Sequence, residues 1–351
     1  MRHTFSSPPS NRCIHEDFMT YRPSLAVLFA LASALAPGLT HACASCGCTL
    51  SSDWESQGLS AQEGLRLDIR YDYLDQDQLR SGSQSISPSA ASALVTKSGP
   101  QEVERDTKND YLTTSVDYSF SKDWSVSVQI PYIFRDHSTL GTNSNGTDPA
   151  DDAYTSKTSN VGDVKLIARY QGFTTQHNAG VLFGFKLPTG SHTQTGTSTD
   201  PAAPGDVATI DRGLQPGTGT TDAIIGAYYF DALNKNWDYF AQATYQTALD
   251  SSDDYRPGNG INLNGGLRFM GFTQAFPQLQ LNYRHVEHDR GANADELSTG
   301  GDLLYLSPGV VVPLDKQTSV YSFLQLPLYQ DVRGVQLAPR YTASIGLRLS
   351  F

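Results

Sequence analysis

The sequence predicts an all-β protein: a transmembrane, antiparallel, up-and-down β-barrel of about twelve strands behind a cleaved N-terminal signal peptide. Three observations carry this. Segments of about ten residues alternate apolar and polar side chains with period two. The connections between them alternate long and short. The last segment, YTASIGLRLSF, keeps its alternation up to Phe351.

The N-terminal region reads as an export signal. Met19 opens MTYRPSLAVLFALASALAPGLTHA, with Arg22 ahead of the apolar stretch Leu25 to Leu35. Pro37 and Gly38 break that stretch, and Thr40-His41-Ala42 offers a small-residue cleavage site. Cleavage after Ala42 makes residues 1–42 the signal peptide. Glu16 and Asp17 fit such a signal poorly, which points to Met19 as the true start. Residues 43–63 then form a short periplasmic segment, and 64–351 the barrel.

In GLRLDIRYDY, Leu65, Leu67, Ile69, Tyr71 and Tyr73 share one face, and Arg66, Asp68, Arg70 and Asp72 the other. Successive side chains of a strand point to opposite faces, so this ribbon is apolar on one side and charged on the other. WSVSVQIPYIF repeats the pattern from Trp124, GDVKLIARYQ from Gly162, WDYFAQATYQ from Trp237 and INLNGGLRFM from Ile261. The alternation predicts strands over 64–74, 109–120, 124–136, 161–172, 179–189, 221–231, 237–249, 260–271, 278–289, 301–312, 318–330 and 339–351. Runs such as Ala223 to Tyr229 and Leu303 to Leu306 are apolar on both sides, so the faces of the sixth, tenth and eleventh strands stay open.

The long connections are 75–108, 137–160, 190–220, 250–259, 290–300 and 331–338, rich in Ser, Thr, Asn, Asp and Gly. The short ones include SKD, FTTQHN and PLDKQ. One rim of short turns and one of long loops is the rhythm of outer-membrane barrels of Gram-negative bacteria. Trp124 and Trp237 follow short turns, where a periplasmic aromatic girdle belongs. Tyr341, Leu349 and Phe351 on the last strand resemble the signal read by the barrel assembly machinery. Outer-membrane lipid and that machinery are the expected partners.

If the apolar faces meet lipid, the alternate residues line the interior. The basic set is Arg66, Arg70, Arg135, Lys165, Arg169, Lys186, Arg268, Arg284, Arg340 and Arg348; the acidic set is Asp68, Asp72, Asp117, Asp163 and Asp238. The whole chain is acidic, at -11, and lacks the basic footprint of a nucleic-acid binder. A basic lumen would favour small anions. Arg–Asp pairs bracing neighbouring strands are the more economical reading, because charges in a narrow bore need partners. A narrow or partly plugged channel is expected.

Gly162-Asp163-Val164-Lys165-Leu166, Lys186-Leu187-Pro188-Thr189-Gly190, Pro216-Gly217-Thr218-Gly219-Thr220-Thr221-Asp222 and Leu306-Ser307-Pro308-Gly309-Val310 occur in this order. In them the chain resembles the outer-membrane barrel family associated with the meta-cleavage pathway of phenol degradation. The resemblance spans about residues 64–351 and implies transport of aromatic or other small hydrophobic compounds. The same glycines and prolines also have a plain structural role, bending strands at the rims and starting loops.

Cys43, Cys46 and Cys48 do not belong to that pattern. In an oxidising compartment a disulfide is the first reading, with Cys43 and Cys46 as the pair. A Cu(I) or Zn site is the second. Lipidation of Cys43 is the third, although Thr40 stands where Leu is usual. Haem attachment fails, because Gly47 rather than His follows the second cysteine.

No catalytic constellation is visible: G-x-S-x-G and H-E-x-x-H are absent. Tyr283-Arg284-His285-Val286-Glu287-His288 is the nearest approach and reads as a solvated rim cluster. Gly217-Thr218-Gly219 is a loop rather than a phosphate cradle. The expectation is a non-enzymatic conduit passing small organic solutes, aromatic or carboxylated, by facilitated diffusion. The alternatives are a structural or loop-binding barrel, or a periplasmic metal- or redox-linked protein acting through Cys43–Cys48.

Overall fold

The computed structural model describes residues 62–97 and 99–351. In chain order the strands are β1 (Gly64–Gly82), β2 (Gln84–Ser85), β3 (Val95–Thr96), β4 (Gly99–Pro100), β5 (Val103–Ser119), β6 (Trp124–Gly141), β7 (Tyr154–Val161), β8 (Val164–Tyr170), β9 (Ala179–Leu187), β10 (Thr195–Ser198), β11 (Val207–Thr209), β12 (Asp222–Asn234), β13 (Trp237–Ala248), β14 (Gly260–Phe269), β15 (Phe276–Val286), β16 (Gly301–Pro313) and β17 (Thr318–Ser350). One short helix, α1 (Pro88–Ser92), and a 3-10 turn at Arg212–Leu214 complete the described elements.

Eleven of these strands close a ring. Its order is β1, β5, β6, β8, β9, β12, β13, β14, β15, β16 and β17, and every pairing is antiparallel. β17 is 33 residues long and serves twice. Its first part pairs with β16 from Ser319 to Val332, and its second with β1 from Val335 to Ser350. The two parts lie against each other: Ser322 Oγ donates to the Ser344 carbonyl and Gln330 Nε2 to the Pro339 carbonyl. The reversal falls at Gly334, whose φ of +64° suits glycine.

The alternation read in the sequence sorts the side chains as expected for a membrane barrel. Leu65, Ile69, Val116, Val126, Ile130, Leu166, Phe185, Leu263, Leu279 and Ile345 are exposed on the outer wall, while Arg66, Asp117, Arg169, Gln280, Asn282 and Ser307 are buried inside. Such a surface would be costly in water, since soluble proteins rarely leave large contiguous apolar patches uncovered. At the short-turn rim Trp124 packs on Tyr170 and Trp237 on Phe269, with ring centroids 4.8 and 4.9 Å apart. At the opposite rim the hydroxyls of outward-facing Tyr73, Tyr283 and Tyr329 donate to Asp75, Asp302 and Asp331. An apolar band therefore lies between two belts of amphipathic rings.

β5 has 17 residues, about 56 Å of extended chain, more than an apolar band of about 25 Å requires even with tilt. The excess projects beyond the long-loop rim, where the outer face is charged: Asp77 pairs with Arg340, Asp136 with Lys157, and Asp106 with Lys108. The sequence placed 75–82, 103–108 and 137–141 in loops, yet they continue β1, β5 and β6 as this turret. β7 extends the turret and holds β10 and β11 outside the ring. Apolar periodicity cannot detect β7, because YTSKTSN is polar on both faces.

The structure resolves the open faces. Ile224 and Tyr228 of β12, Leu303 and Tyr305 of β16, and Tyr321 and Phe323 of β17 are buried on the inward face. Four aromatics lie over glycines of neighbouring strands. A Cβ would stand 2.5 Å from Tyr228 at Gly180, 2.6 Å from Phe240 at Gly266, and 2.1 Å from Phe323 at Gly309 and from Tyr321 at Gly346. These notches let large rings lie flat against the wall and fill the lower bore.

Candidate functional site

The lumen floor, nearest the short turns, is a cross-braced core. Asp117 of β5 receives Arg66 of β1 on one carboxylate oxygen and Arg169 of β8 on the other, the latter at 2.6 Å. Arg66 also donates to Ser119 at 2.5 Å, and Arg169 to Ser127. Arg70 pairs with Asp72 at 2.8 Å, and Asp72 accepts from Ser344 Oγ. Asp68 accepts from the Tyr321 hydroxyl at 2.8 Å, while Arg348 sits 3.9 Å away over the Tyr321 ring. Arg268 pairs with Asp238 at 2.6 Å. Each pair links different strands or anchors a residue beside such a link, so bracing accounts for most of the lumen charge.

The floor's other half is apolar: Ile167, Leu182, Ile224, Tyr228 and Phe240 form one buried cluster, and Val311, Tyr321 and Phe323 another. Spacing alone did not reveal it, because these residues sit in runs that are apolar on both sides.

Higher up, the wall splits. β6 pairs with β8 from Trp124 to Gln129, then with β7 from Tyr132 to Ser138, and Gly162-Asp163 lies between β7 and β8. Three of the four sequence motifs meet at this split. Lys186 Nζ contacts Asp163 at 3.0 Å, Asp222 at 3.2 Å, and the Thr218 hydroxyl. Asp163 also accepts from the amides of Gly190 and Thr218, at 3.0 and 2.9 Å. Gly190 and Gly217 touch: a Cβ on Gly190 would lie 2.7 Å from Gly217 Cα. The spacing of GDVKL, KLPTG and PGTGTTD is thus the spacing of one buried pin, which ties β9 and β12 to the broken stave. Lys165 of β8 stands opposite Lys186 in register.

The turret is closed from within. The segment after β1, including α1, packs Ile86 and Ala91 onto Leu79, Val103, Leu140, Val335 and Leu337. Beneath this cap, Gln76 Oε1 accepts from Asn109, Asn109 Oδ1 accepts from Arg135, and Arg135 also reaches the Tyr111 hydroxyl and the Gly213 carbonyl. Glu104 and His137 are buried in the same layer, at 1% and 0% exposure. Outside them Arg105 and Lys108 are exposed, so this layer stands above the apolar band. Burial pushes the Glu104 carboxyl up to about 8, and burial together with the Arg135 charge pushes the His137 ring down to about 3. Both groups are uncharged near neutrality. Neither stood out in the sequence, since Glu104 and His137 both fall in segments read as polar loops, 75–108 and 137–160.

Arg340 does not join the lumen. β1 and β17 slip in register between Leu74↔Thr342 and Gln76↔Pro339. This bulge turns both Arg340 and Tyr341 outward, and Arg340 pairs with Asp77 at 2.9 Å. Arg284 does face inward and donates to Asn262 Oδ1 at 3.0 Å. In the rim cluster, His285 Nδ1 and the Tyr283 hydroxyl share Asp302 on the outer face. Glu287 bonds Asn259 and Arg290, while His288 bonds Arg333. Their partners are dispersed, and no group of metal-ligating side chains occurs among the described residues. Cys43, Cys46 and Cys48 lie outside the described residues. On the last strand Tyr341 and Phe351 are exposed, and the Phe351 amide donates to the Leu65 carbonyl.

No family model matches the chain, and no curated protein matches it. Solved structures do. An outer-membrane channel from Pseudomonas putida F1 superposes with a TM-score of 0.58 at 12% identity, covering 87% of this chain and 100% of that one. The β-domain of the Bordetella autotransporter BrkA aligns at 0.46 and 16% identity, covering 83% and 100%. The Ralstonia pickettii toluene transporter TbuX aligns at 0.44 and 11% identity, covering 90% and 98%. The first of these likenesses establishes the fold, a closed β-barrel of the outer-membrane type.

Proposed function

We propose that the chain is a channel of the Gram-negative outer membrane that passes small organic solutes, and not an enzyme. One observation carries this: the ring is apolar on its outside and charged on its inside, with aromatic belts bounding the apolar band. This inversion has a physical rationale in lipid, where a closed barrel satisfies every backbone hydrogen bond. Counting the two arms of β17 separately gives twelve walls, the even number usual in bacterial barrels. The signal peptide read in residues 1–42 supports export, and the alternation of Tyr341, Leu349 and Phe351 supports recognition by the assembly machinery.

Side chains crowd the bore at two levels, at the cap and at the cross-braced floor. Solutes therefore pass in a gated manner, through displacement of the cap and side-chain movement at the floor. The basic lumen and the motif resemblance support aromatic or carboxylated solutes. Liposome swelling tests the reading. Proteoliposomes should admit benzyl alcohol or benzoate faster than protein-free vesicles and exclude a trisaccharide. Equal rates with and without the folded protein would refute the channel.

A further inference from the structure

The lumen cations are not equivalent. Arg66, Arg70, Arg169, Lys186, Arg268 and Arg348 each lie beside a carboxylate. Arg135 lacks one among the described residues, but its Nε, Nη1 and Nη2 are taken by Asn109, Gly213 and Tyr111. Arg284 differs from all of these. Its one hydrogen bond goes to the neutral side chain of Asn262, and Asn262 in turn donates to Thr244. Its Nε is buried with no partner among the described residues, and its Nη2 makes no hydrogen bond there either. A guanidinium holds its charge at any relevant pH and presents a planar fork matched to a carboxylate. Arg284 therefore keeps part of its fork unspent inside the bore, with no carboxylate beside it among the described residues.

On one side of Arg284, β14 presents Asn262, opposite it in register. On the other, β16 presents Leu303, also opposite in register, with Tyr305 packed against it. Leu303 and Tyr305 are buried, at 3% and 4% exposure, so this side of the cation is packed and its open edge faces away from them. Along the strand Arg284 lies between outward-facing Tyr283 and His285, both bound to Asp302 at the long-loop rim. The position is thus near the long-loop rim of β14 to β16.

We propose that Arg284, with Asn262, is a binding site for a small organic carboxylate. This deepens, and rests on, the reading of the barrel as a solute channel. The carboxylate takes the Nη2 edge of the guanidinium. A neutral analogue of the same shape loses the charge-assisted bonds. A monatomic anion such as chloride cannot match the planar fork with two parallel bonds.

Calorimetric titration of benzoate, benzamide and chloride into the folded full-length barrel tests the site without requiring transport. Benzoate should bind saturably, and R284Q should weaken it by roughly tenfold or more, whereas R284K should retain an intermediate affinity. Benzamide and chloride should bind weakly to all three proteins. Heat-modifiable migration of each variant confirms that its barrel has closed. Equal benzoate binding by wild type and R284Q, or no saturable binding by the wild type, would overturn the site. Uptake of neutral benzyl alcohol in liposomes, measured in parallel, reports on the channel reading alone. Permeation without benzoate binding sinks the site and spares the channel; binding without permeation does the reverse.

Discussion

Replacing Glu104 by Gln tests how the turret cap is held. Glu104 Oε2 accepts the Leu337 amide at 3.2 Å, while Oε1 has no partner among the described residues. With the cap closed, burial raises the carboxyl from 4.5 to about 8. An opened cap returns it to water and to its ordinary value. The closed state therefore holds a proton that the open state releases, so closure is favoured fully below pH 4.5 and loses stability as pH rises to about 8. The whole interval corresponds to roughly 5 kcal/mol. His137 acts in the opposite sense: its folded value near 3 lies below its ordinary 6.5. Its contribution is present above 6.5 and lost as pH falls. The two effects offset one another between about 4.5 and 6.5. From 6.5 to about 8 only Glu104 titrates, and closure weakens by roughly 2 kcal/mol. The assay is hydrogen exchange at the cap amides of Ile86, Leu94 and Gln101, which bond to Leu79, Ala91 and Leu94. After correction for intrinsic rates, wild-type protection should be level from pH 5 to 6.5, then fall about tenfold per pH unit towards 8. E104Q should show no fall above 6.5. Parallel curves for the two proteins would refute the reasoning.

Other expectations follow from the same packing. K186M leaves Asp163 and Asp222 buried without their cation and should cost about 3–5 kcal/mol, read as a lower temperature of heat-modifiable migration. G309V drives a Cβ into the Phe323 ring and should cost about 1–3 kcal/mol, with F323A in the same chain restoring part of it; no restoration would mean the notch is misplaced. R340Q should leave both stability and ion selectivity of the reconstituted barrel unchanged, because Arg340 is exposed and paired with Asp77 outside the lumen. A selectivity change in R340Q would return that residue to the bore.

Much of the wall was legible because lipid on one side and charge on the other enforce strict alternation. Arg66 to Asp72 and Trp124 to Phe134 fall on the faces their spacing predicts. The turret was not legible, since above the apolar band both faces of a strand meet polar surroundings and YTSKTSN carries no periodic signal. Arg340 was misplaced because one bulge reverses the faces beyond it, and an irregular register leaves no trace in alternation. Asp163, Lys186 and Asp222 were visible as motif residues, but their convergence was not, because it depends on a stave that breaks at Gly162. The position of Arg284 stands out only once the side chains around it and around the paired lumen cations are placed.

The most direct test of the central claim is planar-bilayer conductance of the refolded protein lacking residues 1–42 under a salt gradient. The account predicts discrete openings from a gated, narrow bore, with a reversal potential favouring anions. A folded, heat-modifiable barrel that stays silent across the accessible voltage range and with the cap released at alkaline pH would contradict it.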